Sequence, residues 1–273
     1  MKLKNLKLNI RACLGRAQVR FIGLKRDLYW IPFDVLLPLL GVSTFIFIYK
    51  ALNMPSITYT FVILGGSMIA YWLNILWSMA SQLYWERMTG NLPLFFIAPC
   101  SINSILIGMA IGGIYTTSVR ALSIFLLGII FFKIPIYWQG LPQGIVAFIL
   151  TLIALYGMGM MLSSVFLLSG REAWHLSNLL QEPIYLFSGF FFPIKTLGFW
   201  LASLASLIPA TLGLDALRQS LIPQSKSFAF LSFNVEIILL ILLSVIYINS
   251  SFVLARRIEK IARREGRLVT RWQ

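Results

Sequence analysis

The chain has 273 residues, 59% hydrophobic and 12% charged, with a formal net charge of +14 and a mean hydropathy of +0.84. Soluble domains run at about 45–50% apolar and about 25% charged, and disordered chains need low hydrophobicity, so both classes are excluded. The 19 Gly and 11 Pro follow no period, which excludes a fibrous chain and leaves the membrane class.

In chain order, the first predicted element is amphipathic. Leu6, Ile10, Cys13, Leu14, Ala17, Phe21, Leu24 and Leu28 share a stripe about 100° wide on a helical wheel, and Lys4, Lys7, Arg11, Arg20, Lys25 and Arg26 lie off it. This predicts a helix lying in the membrane interface, bases near anionic headgroups. Six windows then have the roughly 20 apolar residues a span needs: 33–50, 58–81, 103–132, 143–168, 174–194 and 233–255. Of the 23 Lys and Arg, eight lie between Lys2 and Arg26 and seven between Arg256 and Arg271. The positive-inside rule puts both ends in the cytoplasm, which requires an even number of spans. Arg87 and Arg171 then fall in internal loops, Lys50 and Lys133 in external ones. The first long apolar run lacks a small-residue cleavage site, so no removable signal peptide is expected.

Four features depart from six plain helices. The N-terminal helix is the first. The second is Gln82–Ser101 (QLYWERMTGNLPLFFIAPCS), where Glu86 and Arg87 are adjacent charges, Gly90 and Pro93 punctuate, and large apolar groups crowd a short connection. Such a patch is either an interfacial helix or a docking surface. The third is the external connection Pro193–Ser232. Its apolar run 197–208, bracketed by Pro193 and Pro209, is too short to cross and is expected to dip in as a re-entrant segment. Asp215 and Arg218 follow at i,i+3 spacing, placed to pair at the outer surface. The fourth is Arg120 inside the long third window, worth at least about 2.5–3.5 kcal/mol against insertion unless it meets water, a carboxylate or an interface. Asp34 is one candidate partner, and snorkelling the other reading. Gly108–Gly112 and Gly66–Ala70 are small-xxx-small pairs for close helix packing.

Catalytic chemistry has little to work with. The single histidine, His175, has no zinc-site spacing around it, and Ser163 and Ser164 lack a nucleophile context. Cys13 and Cys100 form no CxxC. No P-loop occurs, and the basic ends lack the context of nucleic-acid binding. No catalytic, metal or cofactor-binding residue is expected, nor a nucleic-acid partner.

The chain resembles the membrane subunits of ABC exporters of the type-2 class. One block that carries the likeness is Glu86-Arg87, Gly90 and Pro99-Cys100-Ser101 between spans two and three. The other is Ser188-Gly189, Phe192-Pro193, Pro209, Asp215 and Arg218 after span five. The stretch RFIGLKRDLYWIPFD before span one does not reproduce the Arg-Tyr…Leu-Gly…Trp block of the polysaccharide branch, so the closer likeness is to drug, antibiotic and lipid-like exporters. The resemblance implies an all-α membrane protein of six transmembrane helices, with an N-terminal amphipathic interfacial helix, a cytoplasmic coupling helix and a re-entrant external segment. Residues 1–30 would be the cytoplasmic amphipathic helix, 31–255 the six-span domain and 256–273 a basic cytoplasmic tail. It further implies coupling to a separate ABC ATP-binding subunit through Glu86, Arg87 and Gly90, ATP held by that partner, and pairing with a second permease subunit, identical or paralogous. It also implies a bacterial or archaeal plasma membrane and hydrophobic or amphiphilic substrates. The competing reading is an ATP-independent secondary transporter or channel using Asp34, Arg120 and Glu182 as an ion path; the absence of inverted repeats counts against it.

Overall fold

The computed structural model describes residues 2–134, 137–169 and 173–265; Arg171, Glu172 and the tail beyond Glu265 lie outside them. Among the described residues every regular element is helical. The order is α1 (Lys2–Arg26), α2 (Ile31–Ala51), α3 (Ile57–Leu73), α4 (Gln82–Met88), α5 (Leu92–Ile97), α6 (Ile102–Phe132), α7 (Leu141–Ser169), α8 (Ala173–Phe187), α9 (Phe199–Ala205), α10 (Pro209–Leu221) and α11 (Phe233–Glu265). Between α3 and α4 the chain stays helical through a π segment, Asn74–Ala80. Ends are set locally. Ser101 caps α6 by accepting from the Ser104 N–H, and Lys133 stops it in the left-handed region at φ 48°. Prolines open α2, α5 and α10 within their first turns, where a missing N–H leaves nothing unpaired.

Five helical stretches are long and apolar enough to cross a membrane: Leu28–Ala51, Ile57–Met88, Ile102–Phe132, Trp138–Leu168 and Phe233–Ile261. A sixth exists if α9 and α10, bent by 107°, count as one. The window 174–194 is not one continuous helix. The helix α8 has 15 residues, about 22 Å at 1.5 Å per residue, and ends where Gly189 turns to φ +66°. Beyond it Pro193 begins a short 3-10 turn, Ile194–Leu197. Apolarity runs through that window, but the glycine and proline break the helix.

The core sits on α3, where Phe61 to Gly66 are buried without interruption, and on α10, whose 13 residues are all buried. The helix α7 packs on both α10 and α11. Glycines set the close approaches: a Cβ on Gly66 would lie 2.2 Å from Val42 of α2, and one on Gly108 2.3 Å from the Cys13 carbonyl.

Gly108 shows where α1 goes. It lies along the start of α6, with Asn9 at Ser101, Arg16 at Gly108, Ala17 and Arg20 at Gly112, and Phe21 edge-on to Tyr115 at 4.4 Å. The apolar stripe is therefore divided. Cys13, Ala17, Phe21 and Leu24 are buried or half-buried, while Leu6, Ile10, Leu14 and Leu28 stay exposed. Burial pushes the Cys13 and Cys100 thiols above their ordinary value, which makes them poor nucleophiles.

Gly65 has the tightest contact of all, since a Cβ there would sit 1.6 Å from the Phe190 carbonyl oxygen. Gly65→Ala is expected to lower stability by about 1–3 kcal/mol, read as a fall in Tm of the detergent-purified protein, whereas Gly41→Ala, inside α2 with open space around it, does not lower Tm.

Candidate functional site

Two polar clusters stand out at opposite ends of the helical run from α3 through the π segment to α4. The first is at the bend α4–α5. Gly90 takes φ +80°, a conformation that suits glycine, and the Asn91 N–H donates to the Glu86 carbonyl at 2.8 Å. The turn thus folds α5 back from α4. Glu86 and Arg87 are both buried, 8% and 5% exposed, although adjacent residues on a helix point about 100° apart. Glu86 is held by the Arg16 guanidinium of α1 and by Gln82 Nε2 at 2.8 Å. One turn along, Arg20 Nη2 donates to Gln82 Oε1 at 2.8 Å. Burial pulls the Arg20 guanidinium below its ordinary value, but arginine remains protonated. Arg16 also lies over the Phe95 ring of α5, 5.3 Å from its centroid. The Ser101 N–H donates to Asn9 Oδ1 at 2.9 Å, which ties the far end of the bend to α1 as well. Four apolar side chains of the bend are turned outward: Trp85, Met88, Leu94 and Ile97 are exposed, Ile97 by 79%, while Leu83 and Leu92 are buried.

Sequence reasoning singled out Glu86, Arg87 and Gly90 here and missed Asn9, Arg16, Arg20 and Gln82. The available signal was a matched spacing, since Arg16 and Arg20 stand four apart on α1 and Gln82 and Glu86 four apart on α4.

The second cluster gathers the other block. Asp215 and Arg218 were expected to pair at the outer surface; they are buried, 4% and 2% exposed, and each has its own partners. Arg218 donates from Nη2 to the carbonyls of Phe190 at 3.0 Å and Phe61 at 3.1 Å, and from Nη1 to that of Phe192 at 3.2 Å. Its guanidinium lies 4.8 Å from the centroid of the Phe61 ring. Asp215 Oδ2 accepts the Phe230 N–H at 2.9 Å. Next to it Gln219 Nε2 donates to the Leu231 carbonyl at 3.0 Å and to Glu236 Oε2 at 2.8 Å. The separation has a plain cause: the non-helical stretch after α8 exposes carbonyls that need donors, and a planar guanidinium supplies several. Gly189 and Pro193 flank the carbonyls of Phe190 and Phe192 that Arg218 holds. Pro209 instead opens α10 at the 107° bend.

Of the intramembrane candidates, Arg120 meets Asp34 at 2.5 Å, joining α6 to α2. Glu182 is elsewhere, on the exposed side of α8, which packs on α7, α9 and the π segment. The three do not form one path. His175 is exposed on α8, and the buried Ser163 hydroxyl donates to the Met160 carbonyl at 2.8 Å. Among the described residues no three His, Cys, Asp or Glu side chains come together as a metal site.

Removing a buried donor leaves its acceptors unpaired, at about 1–3 kcal/mol each. Arg218→Met is therefore expected to give the largest loss of Tm of any single substitution in this cluster. Arg218→Lys restores part of it, because a point charge does not reproduce the fork. Thermal unfolding of the two variants side by side checks this.

Among curated proteins none matches the chain. The family described as ABC-2 type transporter matches residues 10–222, which include Arg16, Glu86, Asp215 and Arg218. On that match over most of its length, the chain belongs to the ABC-2 type transporter family: it is a multi-pass transmembrane permease of an ABC transporter, whose family works with an ABC ATP-binding subunit.

Proposed function

We propose that this permease forms the substrate pathway of an ATP-driven exporter, paired with a second membrane subunit and driven by separate ATPase subunits that bind the ATP. The bend α4–α5 is the coupling element, docked in a groove of the ATPase. The observation that carries the reading is the two-sidedness of that bend: its polar side chains grip α1, and Trp85, Met88, Leu94 and Ile97 are turned outward as an apolar docking face.

Glu86, Arg87 and Gly90 then transmit motion, and α1 moves with them through Arg16 and Arg20. ATP drives the change between inward-facing and outward-facing arrangements only by binding one state more tightly. In the bilayer, the exposed Leu6, Ile10 and Leu14 of α1, flanked by Lys7 and Arg11, rest in the interface. Both ends are cytoplasmic in a bacterial or archaeal plasma membrane, and the segment 194–221 is the re-entrant external cap, fixed by Arg218. An apolar cavity of about 160 Å³ between α3, α6, α7 and α10, lined by Met68, Phe125, Phe148 and Leu217, suits a pathway for hydrophobic or amphiphilic small molecules. The Asp34–Arg120 pair neutralises two of the three charges an ATP-independent ion path would use.

The test is reconstitution with the ATPase subunit. Glu86→Ala and Arg16→Ala are each expected to raise the ATP hydrolysed per molecule exported several-fold while the complex still assembles, and the double variant to add little to either, as for two partners of one contact. A normal ratio in both single variants refutes the coupling role. Gly90→Val, strained at φ +80°, is expected to behave like them.

A further inference from the structure

The exposed side of α11 changes character along its length. At 100° per residue, Val235, Ile238, Leu242, Val245, Ile246 and Val253 fall within a stripe about 120° wide. All six are exposed, and Asn249 is the one polar side chain in the stripe between them. Arg256, Arg257 and Lys260 continue the same stripe and are exposed too. The other side of the helix is covered. Leu240, Ala255 and Ile258 are buried, and α11 packs on α7, α10 and α5. Among the described residues none of the three bases forms an ion pair; Glu259 borders them, half-buried. In the sequence the pattern recurs seven residues on, with Arg263 and Arg264.

Length fixes the depth of this stripe. From Val235 to Val253 the helix rises about 27 Å at 1.5 Å per residue, close to the roughly 30 Å of a hydrocarbon core. Arg256 and Arg257 stand about 5 Å beyond Val253, and Lys260 about 10 Å. A headgroup layer adds about 5–8 Å on each side of the core, so the bases fall within that layer and at its outer edge. They point where the apolar stripe points, away from the bundle. A planar guanidinium matches a phosphate in two-pronged geometry, and the lysine adds a point charge. A second copy of the chain does not supply the counter-charge. A two-fold contact on this stripe sets bases against bases, and the chain has 9 acidic residues to 23 basic ones.

We propose that Arg256, Arg257 and Lys260 form a headgroup site for an anionic phospholipid, its phosphodiester among the three bases and its acyl chains along Val253 and Ile246. The site needs α11 to cross the bilayer, and it stands whether or not the bend α4–α5 couples to an ATPase.

The experiment uses the full-length permease in neutral detergent. It is titrated with phosphatidylglycerol and, separately, with phosphatidylcholine of the same acyl chains, and bound lipid is counted by native mass spectrometry. The wild type is expected to hold phosphatidylglycerol more tightly. Arg256→Gln together with Arg257→Gln is expected to weaken phosphatidylglycerol about tenfold and to leave phosphatidylcholine unchanged. Arg256→Lys with Arg257→Lys keeps part of the preference. Lys50→Gln with Lys226→Gln, which removes the same charge elsewhere, keeps all of it. An unchanged preference in the glutamine pair overturns the proposal, and so does an equal loss in the Lys50 and Lys226 pair. Inorganic phosphate that displaces the lipid at similar concentration assigns the bases to a soluble anion and overturns it as well. The same holds if the glutamine pair keeps its lipid preference but no longer binds the ATPase subunit, which assigns the bases to a protein contact.

Discussion

Backbone carbonyls in hydrocarbon must be hydrogen-bonded by the protein itself, and this chain breaks its helix after α8, leaving the Phe190 and Phe192 carbonyls outside any helix. Arg218 repairs it. One guanidinium collects Phe190, Phe192 and, across the bundle, Phe61. The irregular stretch, the buried α10 and the start of α3 therefore form one body, and Gly65 beneath the Phe190 carbonyl exists in that form to let them close. Asp215 and Gln219 extend the same device to Phe230, Leu231 and Glu236, and α10 is buried along its whole length.

The far end of the helical run that starts as α3 and continues into α4 is fixed by charge. Arg16 and Arg20 reach from α1 to Glu86 and Gln82, and Gly108 and Gly112 let α1 approach closely enough to do so. Between the two ends, Tyr156 of α7 donates to Asn74 Oδ1 at 2.9 Å, and Tyr71 shares a hydrogen bond with Ser118 at 2.7 Å. The helix leading from Phe61 to Glu86 is thus held by polar contacts at both ends and at its middle, with apolar packing between. The bend is tied to α3 and to α1 alike.

The sequence made the helical membrane architecture legible, because long apolar runs and clustered end charges are local properties. It also made Asp34 a candidate for Arg120, since a lone charge at depth demands an answer. The end of α8 was less visible: hydropathy counts Phe190, Phe191 and Phe192 as part of a span, whereas Gly189 and Pro193 decide the backbone. Arg218 misled through its nearest acidic neighbour, because the carbonyls it serves come from residues 26, 28 and 157 positions away. The grip of Arg16 on Glu86 closes over 70 positions and left only a matching four-residue spacing. Contacts of that range are set by how helices pack, which no short window of residues records.

The π segment Asn74–Ala80 has a consequence for all of this. A π turn carries one residue more than the α turn it replaces, and such insertions gather at functional places. The extra residue sets the rotational phase of everything beyond it. Absorbing it into regular helix would swing the following turns by about 100° about the axis, carrying Glu86 away from Arg16 and bringing a different side of the bend outward. Phase, rather than length, is what this stretch of backbone stores.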